Sequence, residues 1–326
     1  MSRKILILEP FCKNHMDRIR EAAGSDFLIE QLESVTDDKV VGAAIKDAEI
    51  VVGQPSMDLL QNVSENIPEL KLIQMTWAGT DIYTRNIKPF PKQQVMLANA
   101  SGAYGMVISQ FVIGQILSLM LNFKIYHEQQ EKKIWKRQGP IKSLEKARVL
   151  IYGAGDIGTT IAKRLSGFDT YTIGVCRDTS KERSFFNEVC TLSDAEKFLP
   201  EVDVVIGCIP NTKATVGYFN EERLRKIKKG SILVNVGRGN FVDCNALNSL
   251  LEDGSLWGAA LDVTNPEPLP LEHPLWTNPR CMITPHASGV AFEHLEETEN
   301  LLCNLVCENI RRYRNGEVIK NRVEFQ

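Results

Sequence analysis

Residues 147–165 read ARVLIYGAGDIGTTIAKRL, and the fold class turns on them. An apolar, strand-like run (147–152) meets the glycine turn GAGDIG (153–158), which opens a segment with helical spacing. G-x-G-x-x-G alone is a common turn; between a strand and a helix it is the phosphate cradle of a dinucleotide-binding unit. Gly153 allows the tight turn, Gly155 lets a pyrophosphate approach the backbone, and Gly158 lets helix and strand pack closely. The helix start at Asp156 and Ile157 offers free N–H groups and a positive dipole end to phosphates.

Similar apolar runs recur on both sides of this unit: 4–9, 49–53, 70–75, 95–100, 171–176, 202–209, 231–236, 258–263 and 281–285. Segments with helical spacing separate most of them. Runs apolar on both faces and separated by helices indicate parallel sheets with covered faces. At 326 residues two cores are expected. The fold expected is α/β with two doubly wound parallel-sheet domains. A long helix after residue 104 sets the boundary. A Rossmann dinucleotide-binding domain spans 101–289, and a flavodoxin-like, discontinuous substrate domain spans 1–100 plus 290–326. The amphipathic tail 290–314, with Leu295, Leu302, Leu305, Val306 and Ile310 near one side, would run back to the first sheet.

Composition narrows the function. Charged residues at 24%, hydrophobic ones at 43% and a net charge of −3 suit a soluble globular protein and give no reason to expect nucleic acid or an anionic membrane as partner. Residues 106–125 are the one candidate membrane span. Gln110, Gly114 or Gln115, Ser118 and Asn122 paint a polar stripe along it, so it reads as a buried helix. The N-terminal apolar run is too short for a signal peptide. Eight scattered cysteines without a CxxC pair read as reduced thiols of a cytoplasmic protein, with no metal site.

Parallel sheets of this kind bind ligands beyond the carboxyl ends of their strands. After the second sheet's runs come the glycine turn, then Cys176 and Arg177, then Pro210, then Val236 leading to Arg238, then Glu267, and finally His286. Arg238, Glu267 and His286 therefore share one edge with the nucleotide turn. An imidazolium can give a proton to an oxygen on which charge builds during ketone reduction, and His286 would be that acid. A carboxylate beside it, Glu267, favours the charged imidazole. A guanidinium can fork onto a carboxylate, so Arg238 would hold a 2-keto acid.

These motifs carry a resemblance. WAGTD (77–81), GAGDIG, VNVGRGNFVD (234–243), GAALDVTNPEPLP (258–270) and TPHASG (284–289) resemble, in order and spacing, the D-isomer-specific 2-hydroxyacid dehydrogenases. Within that family the chain looks like a glyoxylate/hydroxypyruvate reductase, or a phosphoglycerate dehydrogenase without its regulatory domain. The resemblance implies that Arg238, Glu267 and His286 are catalytic and that Asp262 faces the nicotinamide carboxamide. It also implies that Ala78 and Gly79 bind the substrate carboxylate through their backbone, across a cleft. A homodimer pairing through the nucleotide domain, with the 104–150 region contributing, is the expected assembly. Trp77 departs from the small residue of many relatives; it reads either as core or as a wall for an apolar substrate side chain. The family's NAD-type acid falls at Cys176, and NADP users tend to carry an arginine where Arg177 stands. NADP is therefore expected over NAD, with Asp178 as the opposing charge. Corepressors that bind NAD(H) with little turnover also resemble this family but carry disordered tails. Formate dehydrogenases pair their histidine with glutamine, unlike Glu267.

Overall fold

The apolar runs form two sheets in which every described pairing is parallel. The computed structural model describes residues 3–32, 37–56, 58–60, 69–86 and 95–323. They divide into one unit of Met1–Tyr104 with Val290–Gln326 and another of Gly105–Gly289.

The first unit holds β1 (Arg3–Ile7), β2 (Phe27–Gln31), β3 (Ile50–Val52), β4 (Leu72–Gln74) and β5 (Met96–Ala98), in the order β2-β1-β3-β4-β5. Ile5, Leu6 and Ile7 are all buried although successive side chains face opposite sides, because a parallel sheet is covered on both faces. The helices Lys13–Ala23 and Glu296–Arg314 pack on each other, with His15 Nε2 3.0 Å from Asn300 Oδ1 and the Cys303 thiol donating to His15 O at 3.8 Å, and Ile19, Leu302, Val306 and Ile310 are buried. Buried Asn309 donates from Nδ2 to Gln74 Oε1 at 2.5 Å and accepts from the Lys320 N–H at 2.8 Å, which ties the returning chain to β4. Arg322 then bridges antiparallel to Ala98. The last helix starts at Glu296, not at 290. Glu296, Glu297 and Glu299 fill its first turn and Arg311, Arg312 and Arg314 its last, each matching the helix dipole.

The second unit holds β6 (Arg148–Tyr152), β7 (Tyr171–Val175), β8 (Glu188–Cys190), β9 (Val204–Gly207), β10 (Ser231–Asn235), β11 (Leu256–Leu261) and β12 (Cys281–Ile283). Their order is β12-β11-β10-β9-β6-β7-β8. The sequence reading missed β2 and β8. Both are edge strands, where a charged residue such as Glu30 or Glu188 replaces the continuous apolar run of a central strand.

The expected long helix is broken. Gly105–Met120 and Phe123–Glu131 meet at 69°, with Asn122 left-handed at φ 60° and its side chain donating to Pro140 O at 3.1 Å. Asn122 is thus the bend rather than the last member of a stripe. Among the described residues no single helix is long and apolar enough to cross a membrane.

An aromatic cluster lies under the future site. Tyr152, the last residue of β6, packs edge-on against Phe219 at 5.2 Å and Phe241 at 5.3 Å, and Tyr218 stacks on Phe241 at 5.6 Å. Each such pair adds about 0.5–1.5 kcal/mol beyond area burial. One cluster therefore anchors both the glycine turn, through Tyr152, and the Arg238 loop, through Phe241.

Candidate active site

The glycine turn has the geometry a pyrophosphate needs. Gly153 sits at φ 107°. A Cβ on Gly158 would lie 1.9 Å from Gly153 O, so any side chain there drives the helix Asp156–Leu165 off the turn. A Cβ on Gly155 would meet nothing within 4 Å, which leaves open space above the first-turn N–H groups that a helix cannot pair internally. Below the turn, the Cys208 thiol donates to the carbonyls of Tyr152 and Gly153 at 3.1 and 3.2 Å. Burial pushes that thiol up to about 12, which makes it a structural donor and not a nucleophile. These residues fit a dinucleotide.

Beyond β7, Arg177 is exposed. The Asp178 carboxylate accepts from the Ser180 N–H at 3.0 Å and hydroxyl at 2.6 Å, with Lys181 Nζ at 3.5 Å. These contacts, the Ser180 hydroxyl foremost, hold Asp178 below the usual carboxylate range. Asp178 thus stays ionised, with the Lys181 ammonium beside it as an opposite charge. A residue the sequence did not single out joins this corner: Arg183 donates from Nη1 to Ala154 O at 2.6 Å, inside the glycine turn.

The three residues read as catalytic follow β10, β11 and β12, three neighbouring strands. After β10, Asn235 accepts from the Gly237 N–H at 3.1 Å and donates to Arg238 O at 2.9 Å, fixing the backbone that carries the half-buried Arg238. Arg238 Nη1 donates to Gly237 O at 2.8 Å. A Cβ on Gly239 would stand 1.8 Å from Thr264 O, so the loops after β10 and β11 press together only through glycine. His286 Nδ1 lies 2.7 Å from Glu267 Oε1, with both side chains about half exposed.

Asp262 shapes the histidine turn. It is 2% exposed; Oδ1 accepts from the Thr284 hydroxyl at 2.7 Å and the Ala287 N–H at 2.8 Å, and Oδ2 from the Ser288 N–H at 3.0 Å. Its carbonyl receives the His286 N–H at 2.8 Å, with His286 at φ 53°. Val236 is buried, its N–H given to Gly207 O at 2.9 Å, and Pro210 is exposed with its carbonyl accepting from the Thr215 hydroxyl at 2.9 Å.

The first unit gathers its own polar groups at the carboxyl ends of its strands. After β4, the carbonyls of Thr76, Trp77 and Ala78 accept from Tyr104 Oη (2.7 Å), the Ala100 N–H (2.9 Å) and Asn99 Nδ2 (3.0 Å). Among the described residues no acceptor receives the N–H of Ala78 or Gly79. Trp77 is 50% exposed, so it is not core. Satisfying the surrounding donors and acceptors orients the Gln54 amide with its oxygen toward Trp77; so placed, Oε1 accepts from the Trp77 backbone N–H and indole N–H at 2.9 and 3.0 Å, and Nε2 donates to Glu9 Oε1 at 2.5 Å and Thr76 Oγ1 at 2.8 Å. The Thr76 hydroxyl donates to the same Glu9 oxygen at 2.6 Å. Burial raises the Glu9 carboxyl above its ordinary value, against the Thr76 hydrogen bond. Polar groups also follow the strands of the first sheet: Glu9 after β1, Gln54 after β3 and Thr76 after β4.

Comparison with known proteins agrees with this geometry. Residues 113–288 match the family model described as D-isomer specific 2-hydroxyacid dehydrogenase, NAD binding domain. The chain is 31% identical to a glyoxylate reductase of Thermofilum pendens over 80% of its own length and 79% of that protein's. It is 28% identical to a glyoxylate reductase of Korarchaeum cryptofilum, covering 87% and 85%. The crystal structure of a D-isomer specific 2-hydroxyacid dehydrogenase family protein from Aeromonas salmonicida superposes with a TM-score of 0.85 at 29% identity, covering 100% of each chain.

Proposed function

Because this chain belongs to the D-isomer-specific 2-hydroxyacid dehydrogenase family, we propose that it reduces small 2-keto acids to D-2-hydroxy acids, with His286 as the general acid. The observation that carries the reading is the 2.7 Å pair of His286 Nδ1 and Glu267 Oε1, at a sheet edge shared with Arg238 and the glycine turn. A bound nicotinamide would supply the hydride that goes to C2 of the keto acid. Glu267 engages Nδ1, which leaves Nε2 as the nitrogen that gives its proton to the carbonyl oxygen. Nδ1–H stays with Glu267 as the ring becomes neutral. Arg238 would fork onto the substrate carboxylate and polarise its carbonyl; the N–H groups of Ala78 and Gly79 are proposed, from the family resemblance, as ligands of a substrate carboxylate. Asp262 holds the 284–288 turn and so positions His286, and it would also lie toward a bound nicotinamide.

NADPH is the cofactor this reading favours. Arg177 would contact the 2′-phosphate, and the Lys181 ammonium 3.5 Å from Asp178 partly offsets that carboxylate's opposing charge. A homodimer through the second unit is also proposed, supported by the exposed Phe123, Ile134, Trp135 and Ile141 in one short segment; a monomer by light scattering would contradict it. Initial rates for glyoxylate, hydroxypyruvate, pyruvate and larger keto acids, each with NADPH and NADH, test the function. Turnover with a higher kcat/KM for NADPH is expected; no turnover with any keto acid would overturn the reading.

A further inference from the structure

Trp77 breaks the habit of exposed tryptophans. An indole at a water-facing site ordinarily turns its N–H to solvent and its ring inward. Here half of the side chain is exposed, yet its one polar atom points into the protein, to Gln54 Oε1. That oxygen also takes the Trp77 backbone N–H, so a single acceptor grips the residue at two points and the ring cannot swing. Hydrogen-bond satisfaction sets the Gln54 amide this way round, because the opposite orientation would face its nitrogen to two N–H donors. What Trp77 offers outward is therefore an apolar ring in a fixed place.

Trp77 is the chain neighbour of the backbone amides proposed to take the substrate carboxylate. Ala78 follows Trp77 directly, about 3.8 Å away along the chain, and its carbonyl is held by Asn99. In a 2-keto acid the carboxylate carbon and the C3 substituent are separated only by C2, so the substituent lies near whatever flanks the carboxylate. Resting on the keto-acid reading, we infer that Trp77 selects the substrate by its side chain, favouring 2-keto acids with an apolar C3 substituent, and that Gln54 and Glu9 are its positioning residues.

The test compares kcat and KM for glyoxylate, which has no C3, with those for 4-methyl-2-oxopentanoate. The wild-type protein is expected to prefer the branched substrate in kcat/KM. Trp77→Ala should lower that preference about tenfold, the scale of one or more apolar contacts in a specificity pocket, through KM and with kcat nearly kept. Gln54→Leu, which keeps the indole but removes the double acceptor that fixes it, should move the preference the same way. Glu9→Ala should do so too, while Glu9→Gln, which keeps an acceptor oxygen, should restore it. A wild-type preference for glyoxylate, an unchanged ratio in Trp77→Ala, or an equal loss for both substrates would overturn the inference while leaving the dehydrogenase reading intact. No turnover of either substrate, nor of any other keto acid, would overturn both.

Discussion

The carboxyl edges of the two sheets hold polar groups of different kinds. In the first unit Glu9, Gln54 and Thr76 sit beneath a loop, each satisfied by the next, and what they present is backbone N–H and an indole. In the second unit Glu267 and His286 stand about half exposed, and Arg177 is in solvent. Groups that must exchange protons or meet a phosphate need access. Groups that hold a loop gain from burial, because an unmade hydrogen bond there is expensive. On the proposed function, the difference divides labour between the edges: one fixes geometry, the other does chemistry.

The sharpest way to break this division is at the chemical edge. His286→Ala is expected to lower kcat by about 10²–10⁴-fold, the usual worth of a positioned general acid. NADPH affinity, read by fluorescence titration, should stay put; a kcat within a few-fold of wild type would remove His286 from the mechanism. The next effect is on cofactor choice. Losing one charge-assisted contact of roughly 1.5–3 kcal/mol, Arg177→Ala should weaken NADPH use about ten- to a hundredfold and leave NADH use little changed. Equal losses with both cofactors would mean that Arg177 is only a solvated turn residue.

The smallest effect belongs to the buried edge and has a sign. Burial raises the folded-state value of the Glu9 carboxyl above its ordinary 4.5. The neutral carboxyl's contribution to stability is therefore complete below 4.5 and is lost as pH climbs through the raised folded value. Tyr83 and Tyr104, also near this carboxyl, stay neutral there, since burial pushes Tyr83 up to about 12 and Tyr104 higher still. Glu9→Gln cannot ionise, so its Tm should gain on the wild type as pH rises from about 4.5 toward neutrality. A Tm difference independent of pH would contradict this account of Glu9.

Much of the chemical edge was legible because parallel strands display themselves as apolar runs and the residues after them are its members. Arg238, Glu267 and His286 could be read one strand at a time. Arg183 could not, since its contact with Ala154 spans 29 positions and leaves no local pattern. The Glu9, Gln54 and Thr76 network was hidden for another reason. Its members sit singly after short strands of ordinary composition, and only folding brings β1, β3 and β4 side by side. Edge strands β2 and β8 escaped because one exposed side removes the apolar signature. The break at Asn122 escaped because its left-handed backbone carries no glycine to announce it.

The most direct test of the central claim is chiral analysis of the product formed when wild-type protein oxidises NADPH in the presence of a 2-keto acid other than glyoxylate, whose product is achiral. The account predicts one D-2-hydroxy acid formed per NADPH consumed. An L product, or no hydroxy acid from any keto acid supplied, would contradict it.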